Sequence, residues 1–192
     1  LFRVMRIVGI SGSLRKASTN TGLLRYAAEF AKKEGVSFEI LDVSHLPFMN
    51  EDLEVDGKVP EVVQQFKDSV SSADALVFAC PEYNYGITPS LKNALDWGSR
   101  KGSCWAKKPA GIVGAGGGFG TGRAQMILRQ TFVFLDILAL SKPEVCVRRF
   151  TDPSPFDANG DVVDDRTKTS VEGMVSALLA FTKTIQSGSN LQ

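Results

Sequence analysis

Gly9-Ile10-Ser11-Gly12-Ser13-Leu14-Arg15-Lys16-Ala17-Ser18-Thr19-Asn20 decides how this chain is read. It follows an apolar, β-like run, Met5 to Ile10, and opens a segment whose Leu23, Tyr26, Ala27, Phe30 and Ala31 share one face at helical spacing. Gly35 supplies the stop. A strand that ends in glycine and serine and then opens a helix builds an anion site. Free N–H groups and the positive end of the helix dipole face one point there. Hydroxyls can join them, and the Arg15 guanidinium can pair bidentately with phosphate oxygens. The stretch therefore reads as a phosphate site. The same residues also make a helix-capping loop, with Ser18 or Asn20 as the N-cap and Arg15 solvated.

Outward from this loop the pattern alternates between short apolar runs and helical periodicity. Ser37 to Val43 reads as a second strand, with Val36, Phe38 and Ile40 alternating with polar neighbours as at a sheet edge. Pro60 sits in the first turn of a helix striped by Val63, Phe66 and Val70. Ala75 to Cys80 is continuously apolar, as in a central strand covered on both faces. Pro89 opens a helix with Leu91, Ala94 and Leu95 inward, and Pro109 to Val113 makes a fourth strand, weak at Gly111. The loop Gly114 to Gly122 leads into a helix whose expected inner face is Ala124, Ile127, Leu128, Thr131, Phe132 and Leu135. A fifth strand is expected near Glu144–Arg148. A last helix carries Val171, Met174, Val175, Leu178 and Ile185, and Ser187-Gly188-Ser189-Asn190 reads as a tail.

Strands alternating with helices over 192 residues predict one α/β domain, residues 1–192. The two loops that look specialised follow strands 1 and 3. In the strand order 2-1-3-4-5 these loops flank the crevice where the order reverses, so the expected fold is a flavodoxin-like three-layer sandwich. Its sheet is five-stranded and parallel, with helices on both faces.

The formal net charge of +1 gives no basic face for nucleic acid. No apolar run approaches the roughly 20 residues of a membrane span. Cys80, Cys104 and Cys146 have no paired spacing. Cys80 and Cys146 are expected as buried thiols in a reducing compartment, hence a cytoplasmic protein. One histidine and these spacings exclude a zinc site.

The motifs exclude several chemistries. The first loop lacks G-x-G-x-x-G, and no G-x-x-x-x-G-K-[ST] occurs. The nearest decoy, Gly117 to Ala124, has Arg123 for the lysine and Ala124 for the magnesium-binding hydroxyl. The Ser11 context is not a nucleophile elbow, and His45 is the only histidine to serve as its base. The second loop, Pro81-Glu82-Tyr83-Asn84-Tyr85-Gly86-Ile87-Thr88-Pro89, brings two tyrosines and an amide to the crevice between restricting prolines. Aromatic and amide groups beside a phosphate loop suit a planar heterocycle, though the tyrosines can equally serve as packing. The third loop holds six glycines between Gly114 and Gly122, so backbone can approach a flat ring.

Three segments now carry a family resemblance: Gly12-Ser13-Leu14-Arg15-x-x-Ser18-x-Asn20, Pro81-Glu82-Tyr83-Asn84, and Leu91-Lys92-Asn93-Ala94-Leu95-Asp96-Trp97-x-Ser99-Arg100. Together they resemble the NADPH-dependent FMN reductase family, nearest its soluble quinone and chromate reductase branch. Leu128-Arg129-Gln130, Phe134-Leu135-Asp136 and Lys142-Pro143-Glu144 extend the likeness over most of the chain. The resemblance implies bound FMN, NAD(P)H as co-substrate, and ping-pong hydride transfer to quinones or related acceptors, in homodimers or homotetramers. It implies no catalytic acid or base, because the cofactor carries the chemistry. By motif match Ser13, Leu14, Arg15, Lys16, Ala17, Ser18, Thr19 and Asn20 bind the phosphate, Arg15 and Ser18 foremost. Glu82, Tyr83, Asn84 and Tyr85 border the ring, largely through backbone groups, and Gly116 makes the third contact. Asp96, Trp97 and Arg100 fall near the family's subunit contacts, and Arg129 and Glu144 are candidates to pair there. The other reading is an FMN electron-carrier or sensor domain without reductase activity of its own.

Overall fold

The computed structural model describes residues 3–189. Its elements run β1 (Arg6–Ser11), α1 (Thr19–Lys33), β2 (Ser37–Leu41), α2 (Glu61–Ser71), β3 (Ala75–Ala79), α3 (Pro89–Ser99), β4 (Pro109–Gly116), α4 (Gly122–Leu135), β5 (Leu138–Ala139), β6 (Val145–Arg148) and α5 (Asp165–Ser189). All strand pairs are parallel, in the order β2-β1-β3-β4-β5 with β6 also on β4. The expected flavodoxin-like order holds, and the strand count is corrected from five to six. The fifth position is split: β5 pairs Pro109 and Ala110 at the start of β4, and β6 pairs Val113 to Gly116 at its end. Pro143, which has no N–H to give a ladder, stands in the gap.

Strand alternation sorts the core into two layers. Leu76, Phe78 and Cys80 face α2, α3 and α4, whereas Ala75, Val77 and Ala79 face α1 and α5. Phe78 packs against Trp105 and Phe132 at ring-centroid distances of 6.0 and 4.9 Å. Such aromatic pairs add about 0.5–1.5 kcal/mol each beyond their buried area.

Two expectations of burial and one of secondary structure are corrected. On α4 Ile127 and Thr131 are not buried, and Gln125 is. Its amide N–H₂ donates to Thr121 Oγ1 and Val145 O, both at 3.0 Å, which makes the burial affordable. Cys146 is exposed, because β6 is an edge strand that buries Val145 and leaves its neighbour out. Ser187 to Ser189 belong to α5 and form no tail, while Asn190 lies outside the described residues. Pro60 precedes α2 by one residue, its carbonyl accepting from Val63 and Gln64 N–H.

Trp97 is fully buried and donates to Pro47 O at 2.7 Å. Arg100 forks onto Glu54 at 2.5 and 3.1 Å, and Lys101 reaches the same carboxylate at 2.8 Å. These bonds, Arg100 first, hold the Glu54 pKa down to about 2. A depressed carboxylate stabilises the fold above its unfolded range, near pH 4, and that contribution is lost as pH falls toward 2. Glu54→Gln is therefore expected to lower the urea midpoint at pH 7 and to leave a smaller loss of midpoint between pH 5 and 3 than in the parent.

Candidate functional site

The sheet order reverses between β1 and β3, and the loops that leave their carboxyl ends form the walls of a cleft. The first wall is tied down from below. Gly12 N–H donates to Ala79 O at 2.9 Å, and the hydroxyls of Thr88 and Ser90 donate to Gly12 O at 2.7 and 2.8 Å. Ser11 Oγ accepts from Ser13 N–H and shares a hydrogen bond with Thr21 Oγ1.

Ser18 is the N-cap of α1, its hydroxyl accepting from Thr21 N–H at 3.2 Å. Asn20 is spent elsewhere. Its amide N–H₂ donates to Ala115 O and its Oδ1 accepts from Ala115 N–H, both at 2.9 Å, in a buried setting. The backbone N–H groups of Thr19 and Asn20, in the first helical turn, have no protein partner among the described residues. Thr19 Oγ1 is buried and likewise unpartnered. Buried polar atoms are nearly always satisfied, so this group of donors calls for a ligand acceptor.

A cavity of about 160 Å³ lies over these donors. It gathers Ser13, Arg15, Thr19, Asn20, Glu82, Tyr83 and Gly116 of the expected site. Leu14 lines the neighbouring groove of about 470 Å³, which also meets Arg15 and Tyr83. Lys16, Ala17, Ser18, Asn84 and Tyr85 line neither.

The second loop turns tightly between Tyr83 and Gly86, whose N–H and C=O groups exchange bonds at 3.1 and 2.9 Å. Asn84 and Tyr85 take φ values of 50° and 67°, a left-handed pair typical of a type I′ turn. The tyrosine costs about 1 kcal/mol there, and the Arg123 guanidinium, 4.0 Å above its ring, holds it. Glu82 Oε2 accepts from Arg123 and Ala124 N–H, each at 3.1 Å, so this carboxylate caps α4 and joins the second loop to the third. Its side chain is thereby committed, in keeping with a role toward a ligand through backbone. At Gly116 an added Cβ would lie 2.1 Å from Gly120 O, so a side chain cannot be accommodated there. Gly117 and Gly118 stand open.

Arg149 and Phe150 complete the cavity, and the sequence reading missed both. Their one signal was position: Arg148-Arg149-Phe150 leaves the carboxyl end of a parallel strand, where such folds bind ligands. Cys80 follows β3 and is fully buried, and that burial pushes its thiol up to about 12, which removes it as a nucleophile. His45 is exposed beside Asp42 at 3.2 Å and lines neither cavity.

The fold and the cleft at its reversal point are those of the flavodoxin-like α/β proteins. More narrowly, the chain belongs to the NADPH-dependent FMN reductase family, whose profile matches residues 5–152. It is 47% identical over 185 residues to the NADPH:quinone oxidoreductase of Arabidopsis thaliana, covering 95% of this chain and 94% of that protein. It is 42% identical to an NAD(P)H-dependent FMN reductase of Pseudomonas aeruginosa, over 95% of this chain and 97% of the other. The flavoenzyme NAD(P)H:(acceptor) oxidoreductase FerB of Paracoccus denitrificans superposes with a TM-score of 0.82 at 30% identity, covering 94% of this chain and 98% of that one.

Proposed function

We propose that the cleft binds FMN and that the protein is an NAD(P)H:quinone oxidoreductase, with residues 1–192 acting as one FMN-binding domain. The observation that carries this reading is the unpartnered buried Thr19 hydroxyl beside the free first-turn amides of α1. These donors match a phosphate, and Arg15 lines the same cavity. Gly116 and Gly117 offer bare backbone for a flat ring, and Tyr83 lines the same cavity. FMN held there would supply two-electron hydride-transfer chemistry between NAD(P)H and a quinone-type acceptor. The protein's own part is to hold and orient. The Ser13–Asn20 segment binds the phosphate, the Glu82–Tyr85 turn borders the ring, and Gly116 keeps the third loop close.

The acceptor is assigned to the groove beside the cleft. Of its polar residues, Thr88, Ser90 and Asn93 spend their side chains on Gly12, Pro47 and Met49 backbone, and Arg15 is given to the phosphate in this reading. Leu14, Val43, Leu46 and Phe48, with Ser44 beside them, therefore leave a largely apolar surface. That surface suits a quinone better than a charged oxidant. Exposed Met126, Val133 and Phe134 on α4 support a homodimer or homotetramer, and the three free thiols support a cytoplasmic setting. No helix among the described residues is long and apolar enough to cross a membrane.

Arg15→Ala tests the phosphate assignment. Removing a charge-assisted contact is expected to weaken FMN binding by about 1–3 kcal/mol, measured by titrating flavin-free protein. An Arg15→Ala protein that holds FMN as tightly as its parent contradicts the assignment.

A further inference from the structure

We infer that Arg149 is a second guanidinium of the flavin phosphate site, acting with Arg15 on one dianion. Arg149 and Arg15 line the same small cavity as Thr19, a residue 8% exposed whose hydroxyl is buried and unpartnered. The Arg149 backbone is fixed, its N–H donating to Gly116 O at 3.0 Å, so the residue starts from the rim of the third loop. Its guanidinium lies over the Phe150 ring at 4.1 Å, a stacked position that keeps the planar fork together with few rotamers to lose.

Neither arginine has a carboxylate or a side-chain hydrogen bond among the described residues. Arg123, at the start of α4 beside the cleft, differs: it has Glu82. Burial, and after it the field of Arg15, pushes the Arg149 pKa down. The one carboxylate on the cavity's lining, Glu82, is taken by Arg123 and the start of α4, so two like charges there are costly and a bound dianion relieves that cost. A phosphate monoester supplies about −1.5 to −2 charge at neutral pH, enough for both cations.

This inference rests on the FMN reading, and the two fail differently. Flavin-free full-length protein would be titrated with FMN and with riboflavin, which share the ring and differ in the phosphate. The parent is expected to prefer FMN strongly. Arg149→Gln is expected to weaken FMN by about tenfold or more while leaving riboflavin unchanged, and Arg149→Lys to recover part of the loss. The guanidinium makes no hydrogen bond or ion pair among the described residues, so flavin-free Arg149→Gln is expected to melt at or slightly above the parent, as relief of its repulsion with Arg15 offsets the lost Phe150 contact.

Equal weakening of FMN and riboflavin would make Arg149 a packing residue through Phe150 and overturn the inference. So would FMN affinity within about twofold of the parent, including the case where only the KM for NADPH rises and the arginine serves the dinucleotide instead. A parent that binds neither flavin, or both equally, would overturn the FMN phosphate reading itself.

Discussion

Asn20→Ala is expected to lower the unfolding free energy of the flavin-free protein by about 2–4 kcal/mol and to weaken FMN binding with it. The reason lies in the sheet register. The last β3–β4 pair is Ala79 with Val113, after which the β3 chain turns away at Pro81 into the second loop. Ala115 is thus left with an N–H and a C=O on that side, and the Asn20 amide takes the place of the missing strand at 2.9 Å for both bonds. Truncation leaves two buried backbone groups unpaired, each costing about 1–3 kcal/mol. It also unhooks the start of α1 from the end of β4, the two elements that carry the phosphate loop and the third loop. Denaturant titration without flavin measures the first effect, free of ligand linkage. A loss below about 1 kcal/mol would show that water replaces the amide at little cost.

Gly22→Ala is expected to cost about 3 kcal/mol or more, at the upper end for overpacking. An added Cβ at Gly22 would sit 1.8 Å from Gly160 O, a backbone atom that cannot rotate aside. Gly160, at φ 80°, itself packs on the Ala17–Ser18 backbone, where a Cβ would lie 2.8 Å from Ser18 C. The turn is held by Asp157, whose Oδ1 accepts from Asn159 and Asp161 N–H. Arg25 clamps it to α1 through Asp161 at 2.5 Å. The Asp157–Asp161 turn is therefore a brace behind the phosphate loop, and forcing it away loosens the loop as well as the core. Gly173→Ala in α5 is the matched control. A Cβ there meets nothing within 4 Å, so that variant is expected to be neutral or stabilised by up to about 1 kcal/mol. Equal stability of the two variants would contradict the brace.

Much of the fold was legible because a parallel sheet covered on both faces leaves plain marks. Ala75 to Ala79 is uniformly apolar, and the glycine–serine end of β1 leads straight into a capped helix. What escaped was whatever depends on partners distant in sequence. Two-residue β5 is too short for any periodicity, and exists because Leu138 and Leu140 N–H find Lys108 and Ala110 carbonyls. Gln125 reads as polar surface until its two acceptors are placed.

The site divides the same way. Residues on the two marked loops converge, with Ser13, Arg15, Thr19, Glu82 and Tyr83 at one cavity. An asparagine opening a helix reads as a cap, yet Ser18 caps and Asn20 replaces a strand. Arg149 carries no motif, and its place follows only from β6 lying against the end of β4.

The most direct measurement of the account is anaerobic mixing of the FMN-loaded protein with NADPH, followed by a quinone, with the visible flavin absorbance as the readout. NADPH alone is expected to bleach the flavin rapidly, and the quinone to restore it fully, with no other protein present. A flavin that stays oxidised under NADPH until a separate reductase is supplied would contradict it, and would make this chain a carrier or sensor in place of a reductase.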